Sequence, residues 1–370
     1  MPHLLVAISA HGFGHLAQVA PVLNQLHASL PGLRLTLRTA LPRARLEERI
    51  KLPFALQAAA DDFGMLQHNA LELDLPASLQ RYRELHDSWQ HQVGRVRREL
   101  EAVGPDLLFA DIPYLTLEAA HRAGIPSMAM CSLNWAQILR GCLPDDAEVA
   151  AIAQQMLTAY RRAERFLCPQ PSMPMPGLDN VQPIGVLAIR GRNRRKDLIG
   201  RGLVGERERL VIVAMGGIAH RLPVERWPHR RDVRYVLPDS WPIHRDDCLS
   251  LQQTGIGFTD LLASAEAIIT KPGYGTFTEA TVNGLPILYV RRGNWPEESV
   301  LFDWIARNGR SLELTRSTLE RGEHLPALEA LLSQPPPPPV SHHGAAEAAE
   351  ILRERLFRPA RRSVDDGGGD

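Results

Sequence analysis

Between Thr270 and Pro286 the chain reads T-K-P-G-Y-G-T-F-T-E-A-T-V-N-G-L-P. Gly273 and Gly275 lack a Cβ, so the backbone there can bend sharply and let a ligand come close. Exposed N–H groups at a helix start attract an anion, most often phosphate. Lys271 adds a fixed positive charge beside them. Thr276 is a good N-cap, and Glu279 three residues on completes a capping box. An ordinary capped helix explains that last pair equally well, so an anion site and a structural cap stand side by side.

A second cluster lies near the amino end, in His11-Gly12-Phe13-Gly14-His15. Two histidines in a glycine turn at a strand's carboxyl end sit where open α/β sheets bind ligands. Either ring can act as a general base if a third group orients it. Either is also explained as a turn residue capping local backbone. Asp111 ends an apolar run and precedes Ile112-Pro113. It can fix the tautomer of such a ring and stabilise the imidazolium, or simply cap the next helix. The four-residue histidine spacing is that of a metal pair. The residues between form a turn, however, with no glutamate among them and no cysteine nearby, so no metal is expected. Gly12, Gly14 and Ala17 approach the dinucleotide fingerprint. The second strand ends at Arg38-Thr39 without the acid that holds an adenosine ribose, though Arg38 suits a 2′-phosphate. An NADP-dependent oxidoreductase is therefore the rival from another class.

Both clusters need strands to hold them. Apolar runs of strand length recur at Leu4–Ile8, Leu33–Leu37, Leu107–Ala110, Met128–Met130 and Phe166–Cys168. Helical patterns separate them, among them Val19–Ser29, Leu79–Val103 and Leu115–Ala123. The alternation restarts at Leu210–Met215 and continues through Val233–Leu237, Cys248–Leu251, Ala267–Thr270, Ile287–Val290 and Ser311–Leu314. Strands without two-fold alternation, separated by helices, imply parallel sheets covered on both faces. The expected organisation is an α/β chain of two Rossmann-like domains. The first spans 1–185 and the second 210–334, joined by a solvated basic linker at 186–209. A Pro-rich spacer and a helix fill 335–358, and 359–370 is expected to be a disordered tail.

The 370 residues suit two domains. Lys+Arg and Asp+Glu are both 42, so no basic field attracts nucleic acid. The 4 cysteines are widely spaced, which argues against a zinc ribbon or a disulfide framework and suits a reducing cytoplasm. No stretch approaches the roughly 20 apolar residues that span a bilayer. Peripheral membrane contact stays open.

The string Lys271-Pro272-Gly273-Tyr274-Gly275-Thr276-Phe277-Thr278-Glu279, with Gly284-Leu285-Pro286 after it, resembles the donor motif of GT-B glycosyltransferases. In that fold two Rossmann-like domains face each other across a cleft. The match is nearest to the glycosyltransferase-like amino-terminal region of L-arabinokinases, which Ser132-Leu133-Asn134-Trp135 also resembles. It is more distant from plant and peptidoglycan-type UDP-glycosyltransferases, where a histidine and an asparagine stand in place of Lys271 and Gly275. The resemblance implies a metal-independent, inverting transfer from a nucleoside-diphosphate sugar, UDP-linked, to an acceptor hydroxyl, with no further cofactor. It implies that His15 or His11 is the base and that Asp111 orients it. Lys271, Gly273, Gly275 and Thr276 would hold the donor diphosphate; Gly216 and Gly217 suit a close backbone approach to that diphosphate or to the acceptor, although a plain turn also explains the pair. Glu279 would hold the ribose, and Glu297 and Glu298 the sugar; an acidic helix start explains the last two as well. The acceptor is unread, beyond an expectation that the loops 58–75 and 140–148 shape its site. A nucleotide-sugar sensor or an epimerase of the same fold is the nearer alternative.

Overall fold

The computed structural model describes residues 1–357 apart from Ala219 and Ile243. The tail expected at 359–370 lies outside the described residues. The first sheet is built from β1 (His3–Ile8), β2 (Arg34–Thr39), β3 (Ala55–Ala58), β6 (Leu107–Asp111), β7 (Ser127–Met130), β8 (Phe166–Pro169) and β9 (Val181–Ile184). Its order is β3-β2-β1-β6-β7-β8-β9, with every pairing parallel. A small hairpin of β4 (Gln67–Asn69) and β5 (Glu72–Leu73) stands apart. The second sheet joins β10 (Arg209–Ala214), β11 (Val233–Leu237), β12 (Cys248–Ser250), β13 (Ala267–Thr270), β14 (Ile287–Tyr289) and β15 (Ser311–Glu313). Its order is β12-β11-β10-β13-β14-β15, again all parallel.

All six residues of β1 and all five of β6 are buried. Strands covered by helices on both faces carry no polar side, which is why these runs lack two-fold alternation. The strand order reverses between β1 and β6, and again between β10 and β13. Such switch points open a crevice at the carboxyl ends of the strands. One crevice receives the His11–His15 turn and the other the Lys271–Thr276 turn.

The first helix (Gly14–Ser29) and the helix Tyr274–Val282 approach each other across the cleft. A Cβ built on Gly275 would lie 2.7 Å from the Ala17 Cβ, and one on Gly217 would lie 2.8 Å from the Phe13 ring. These contacts need glycine for close approach, not for backbone conformation.

Several local expectations change. The helix Tyr274–Val282 is capped by Gly273, whose backbone is extended, and it has no side-chain cap. Thr276 is thus the third helical residue and Glu279 sits mid-helix, so the capping box does not form. The helix starts earlier because the extended Gly273 already supplies its carbonyl to the Phe277 N–H at 3.0 Å. The pattern Leu79–Val103 is two helices, Leu75–Asp87 and Trp89–Val103, divided at Ser88. The Ser88 hydroxyl donates back to the Glu84 carbonyl at 2.8 Å and closes the first of them.

The segment 186–209 is no loose linker. Val186, Leu187 and Ala188 are buried. The Thr278 hydroxyl donates to the Leu187 carbonyl at 3.1 Å, and the Gly191 N–H donates to Asn283 Oδ1 at 2.9 Å. A short helix, Arg195–Gly200, then packs Leu198 into the core. Arg190, Arg192 and Arg194 are exposed, as charge repulsion requires. Beyond the prolines the helix Gly344–Phe357 returns to the first domain. It lies against Gly14–Ser29 and shares one apolar core with it through Ala348, Ala349 and Leu352.

Candidate active site

His15 is the second residue of the first helix, and Asp111 ends β6 beside Ile8 of β1. The switch point therefore brings together two residues 96 positions apart. His15 Nδ1 lies 2.8 Å from Asp111 Oδ1, and both side chains are buried. Burial pushes the His15 ring toward its neutral form. The Asp111 carboxylate, with Asp62 and Glu297 further off, overcomes this and raises its pKa above the ordinary histidine value. Burial also raises the Asp111 carboxyl, against the pull of His15. With Nδ1 engaged, the free Nε2 is the atom that can take a proton, the arrangement in which an acid holds a general-base histidine.

His11 is placed differently. Its ring stacks on Trp295 at 5.7 Å and meets the edge of Trp135 at 5.1 Å. Its Nε2 lies 3.0 Å from the Met65 carbonyl. Burial, then the charges of His15, Lys271 and Arg292, lower its pKa to about 3. His11 is a neutral packing residue at working pH, with no carboxylate partner. Gly64 makes room for it: φ is +63° there, and a Cβ would lie 2.6 Å from Trp135 and 2.7 Å from His11.

Across the cleft, Lys271 follows β13 beside Gly216. A Cβ on Gly216 would lie 3.0 Å from the Lys271 Cε, and that residue has φ +78°. Burial, then the neighbouring Arg292 guanidinium, lower the Lys271 pKa to about 7, against Glu297 and Glu298. Next to it the first N–H groups of the helix Tyr274–Val282 precede any intrahelical acceptor. Thr276 is half-buried in that first turn, and Gly216 and Gly217 are exposed above it.

Glu297 and Glu298 are both buried. Glu297 reaches the first domain, where the Ser132 hydroxyl donates to its Oε1 at 2.8 Å; Trp295 Nε1 donates to its Oε2 at 3.1 Å. Glu298 instead holds Arg292, accepting from its N–H at 3.0 Å and its Nε at 3.2 Å. Arg292 lies over the Trp295 ring at 4.3 Å. Of this acidic pair, Glu297 faces the His15 side and Glu298 braces an arginine.

Glu279 lies apart from this group. Its carboxylate is held by the guanidinium of Arg49, from the first-domain helix Arg43–Arg49. A ribose would have to displace Arg49 to reach both oxygens.

Three further residues join the site. Asp62, from the loop after β3, accepts from Trp135 Nε1 at 2.7 Å. Burial raises its pKa to about 6, against His15, Trp135 and Ser9. Arg49 and Arg292 bridge or brace the cleft. Only Asp62 had a sequence signal, the adjacent acids Asp61-Asp62 before Gly64 in a loop already expected to shape the acceptor site.

Arg38, the residue suited to an NADP 2′-phosphate, is buried and forks onto Asp61, with a further bond to Glu99 at 2.6 Å. It is not free for a ligand. Among the described residues, His15, Asp111 and Cys131 are close enough to share an ion. Burial pushes the Cys131 thiol far up, however, and Asp111 already takes His15 Nδ1. The set is a hydrogen-bonded dyad beside a neutral thiol, since metal binding uses the thiolate. His229, Asp246 and Asp247 form the other such group, but Asp247 is committed to Arg245 at 2.6 Å and 2.8 Å.

Two parallel sheets facing across a cleft, each with a glycine turn at its switch point, define the GT-B fold. Solved structures agree. The glycotransferase of kitacinnamycin matches with a TM-score of 0.62 and 17% identity, covering 96% of this chain and 99% of that one. A UDP-glucosyltransferase from Polygonum tinctorium matches at 0.57 and 16%, over 97% and 99%. Arabidopsis thaliana UGT89C1, complexed with UDP, matches at 0.56 and 14%, over 98% and 96%. At these identities the likeness establishes the fold. Among curated proteins, an L-arabinokinase from Arabidopsis thaliana is 26% identical over 367 residues, 95% of this chain. That alignment covers 34% of the relative, so the chain spans about a third of its length. No protein-family model matches.

Proposed function

We propose that the chain is a glycosyltransferase that moves a sugar from a nucleoside-diphosphate donor, UDP-linked, to an acceptor hydroxyl. The observation that carries this is the pairing of the 2.8 Å His15–Asp111 dyad on one domain with Lys271 and a bare helix start on the other. One half can take a proton and the other can hold a diphosphate.

In this reading the acceptor hydroxyl approaches His15 Nε2. His15 removes its proton as the oxygen attacks the anomeric carbon, and Asp111 stabilises the imidazolium. General-base help of this kind is worth roughly a hundred- to ten-thousand-fold. The bond from the anomeric carbon to the diphosphate oxygen breaks on the opposite face, so configuration inverts. Lys271, Gly273, Gly275 and Thr276 supply charge and N–H groups to the leaving diphosphate, beside Gly216 and Gly217, which makes a metal unnecessary. Glu297 is positioned for a sugar hydroxyl, in exchange for Ser132. Glu279 takes the ribose once Arg49 releases it.

The test is a thermal-shift panel of nucleoside diphosphates and NADP, followed by turnover with the best donor sugar with and without chelator. At 100-fold above its dissociation constant, UDP should stabilise the chain by about 2.7 kcal/mol. The product should carry the inverted anomeric linkage by NMR. Stabilisation by NADP and by no diphosphate would sink the reading.

A further inference from the structure

Arg292 takes no part in the transfer described above, yet it is built into the cleft. It lies on the loop between β14 and the helix Glu298–Asn308, the loop that also carries Trp295 and Glu297. Its side chain is only 5% exposed. The Glu298 carboxylate takes its backbone N–H and its Nε, and the guanidinium rests on the Trp295 ring. Those contacts fix one edge of the group. The other edge, Nη1 and Nη2, bonds to no described residue. Nor is that edge sealed in protein, as the orphaned Nη1 of Arg38 is. A buried guanidinium held at Nε, with its outer fork open, is a receptor for a planar anion with two oxygens.

The surroundings of that fork belong to the proposed site. After burial, Arg292 is the main charge that lowers the Lys271 pKa, and it acts on His11 as well. Trp295, in contact with Arg292, stacks on His11 and donates at 3.1 Å to Glu297, the acid placed for a sugar hydroxyl. Arg292 thus stands among the sugar-facing groups. Lys271 and the bare helix start, on the separate turn after β13, supply the diphosphate. A neutral sugar closed over Arg292 would leave a desolvated cation facing hydroxyls alone, and a charged donor without a matched acceptor is costly. A carboxylate on the sugar matches both the charge and the fork.

We propose that the donor sugar is a uronate, a hexose whose C6 is a carboxylate, and that the Nη1–Nη2 fork of Arg292 selects it by binding that carboxylate. This rests on the transferase reading above and adds the class of sugar moved. The test is calorimetry on the full chain with UDP, UDP-glucose, UDP-galactose, UDP-glucuronate and UDP-galacturonate. At least one uronate donor should bind about tenfold or more tightly than its own hexose counterpart. Arg292→Gln should abolish that preference while changing the UDP dissociation constant less than about threefold. Arg292→Lys, which keeps a cation beside Glu298 but gives up the fork, should retain part of it. If Arg292→Gln fails to fold because Glu298 loses its partner, Glu298→Gln added to it removes both charges together. The wild-type comparison needs no variant at all. A wild-type preference below tenfold would overturn the proposal, as would a preference that survives Arg292→Gln. A larger loss on UDP itself would move Arg292 to the diphosphate and overturn the sugar assignment. Each of these results leaves the transferase reading intact. Absence of any nucleotide binding would instead remove that reading, and the uronate assignment with it.

Discussion

The two glycine turns look alike in sequence and do opposite work. The turn before the first helix is built around side chains. Gly12, at φ +74°, swings the chain so that His15 reaches Asp111 inside the sheet edge. The turn before Tyr274–Val282 is built around the backbone. Gly273 is extended, at φ −177°, and any residue could adopt that conformation. What glycine supplies in this second turn is room: Gly275 lets Ala17 approach, and the bare helix start faces the cleft. One turn offers a proton acceptor and the other offers charge and N–H donors. In the proposed reading the chemistry falls on one sheet and donor binding on the other, and each half can be broken alone.

The largest break should come from the first turn. His15→Ala should cost roughly a hundred- to ten-thousand-fold in kcat, with UDP binding unchanged by calorimetry. His11→Ala should cost far less, because that ring has no acid partner. Equal losses in the two variants would contradict the division of roles.

The second turn should show its break in affinity. Lys271→Met removes a charged hydrogen-bond donor worth about 1.5–3 kcal/mol, or roughly ten- to a hundredfold in the UDP dissociation constant. The wild-type pH dependence sharpens this. Lys271 has a pKa of about 7 in the free protein. A bound diphosphate must raise it, so binding is strongest below pH 7 and weakens as pH rises above it. The loss should approach tenfold per pH unit until the bound-state pKa is reached. The dependence should vanish in the Lys271→Met variant. A flat wild-type profile would show that Lys271 does not meet the diphosphate.

The contact between the turns should have a smaller effect, on stability. Gly275→Ala places a Cβ 2.7 Å from that of Ala17, an overpacking worth about 1–3 kcal/mol by denaturant titration. Ala17→Gly in the same chain should restore most of it. Smallest of all, Arg49→Lys keeps the charge on Glu279 but gives up the fork. It should lower stability by about 1 kcal/mol and ease donor access to that carboxylate.

The central strands were legible because burial on both faces writes itself as an unbroken apolar run, as in Leu4–Ile8 and Leu107–Ala110. The edge strand β3, A-L-Q-A, is half-exposed and too short to show any period. β9 carries Pro183 and reads as turn. The His15–Asp111 pairing was suggested by strand ends, since topology brings strand ends together, and by the glycosyltransferase resemblance. Asp62, Arg49 and Arg292 had no such cue, because each comes from a loop or helix whose place depends on tertiary packing. Glu279 shows the converse. Its motif position was clear, but the motif carries nothing about an arginine arriving from residue 49. The docking of 186–191 was hidden for the same reason: its partners, Thr278 and Asn283, sit on the helix it covers.

The helix Gly344–Phe357 sets the order in which the first domain can be completed during synthesis. The first sheet is finished when β9 ends at Ile184, yet the helix that covers the flank of Gly14–Ser29 begins at Gly344, roughly 160 residues later. At ribosomal speeds of about 5–20 residues per second, that gap lasts on the order of ten seconds. During it the apolar flank meant for Ala348, Ala349 and Leu352 is open to water and to other nascent chains. A fragment that stops after the second sheet carries the same exposed flank permanently, and should aggregate where the longer chain does not.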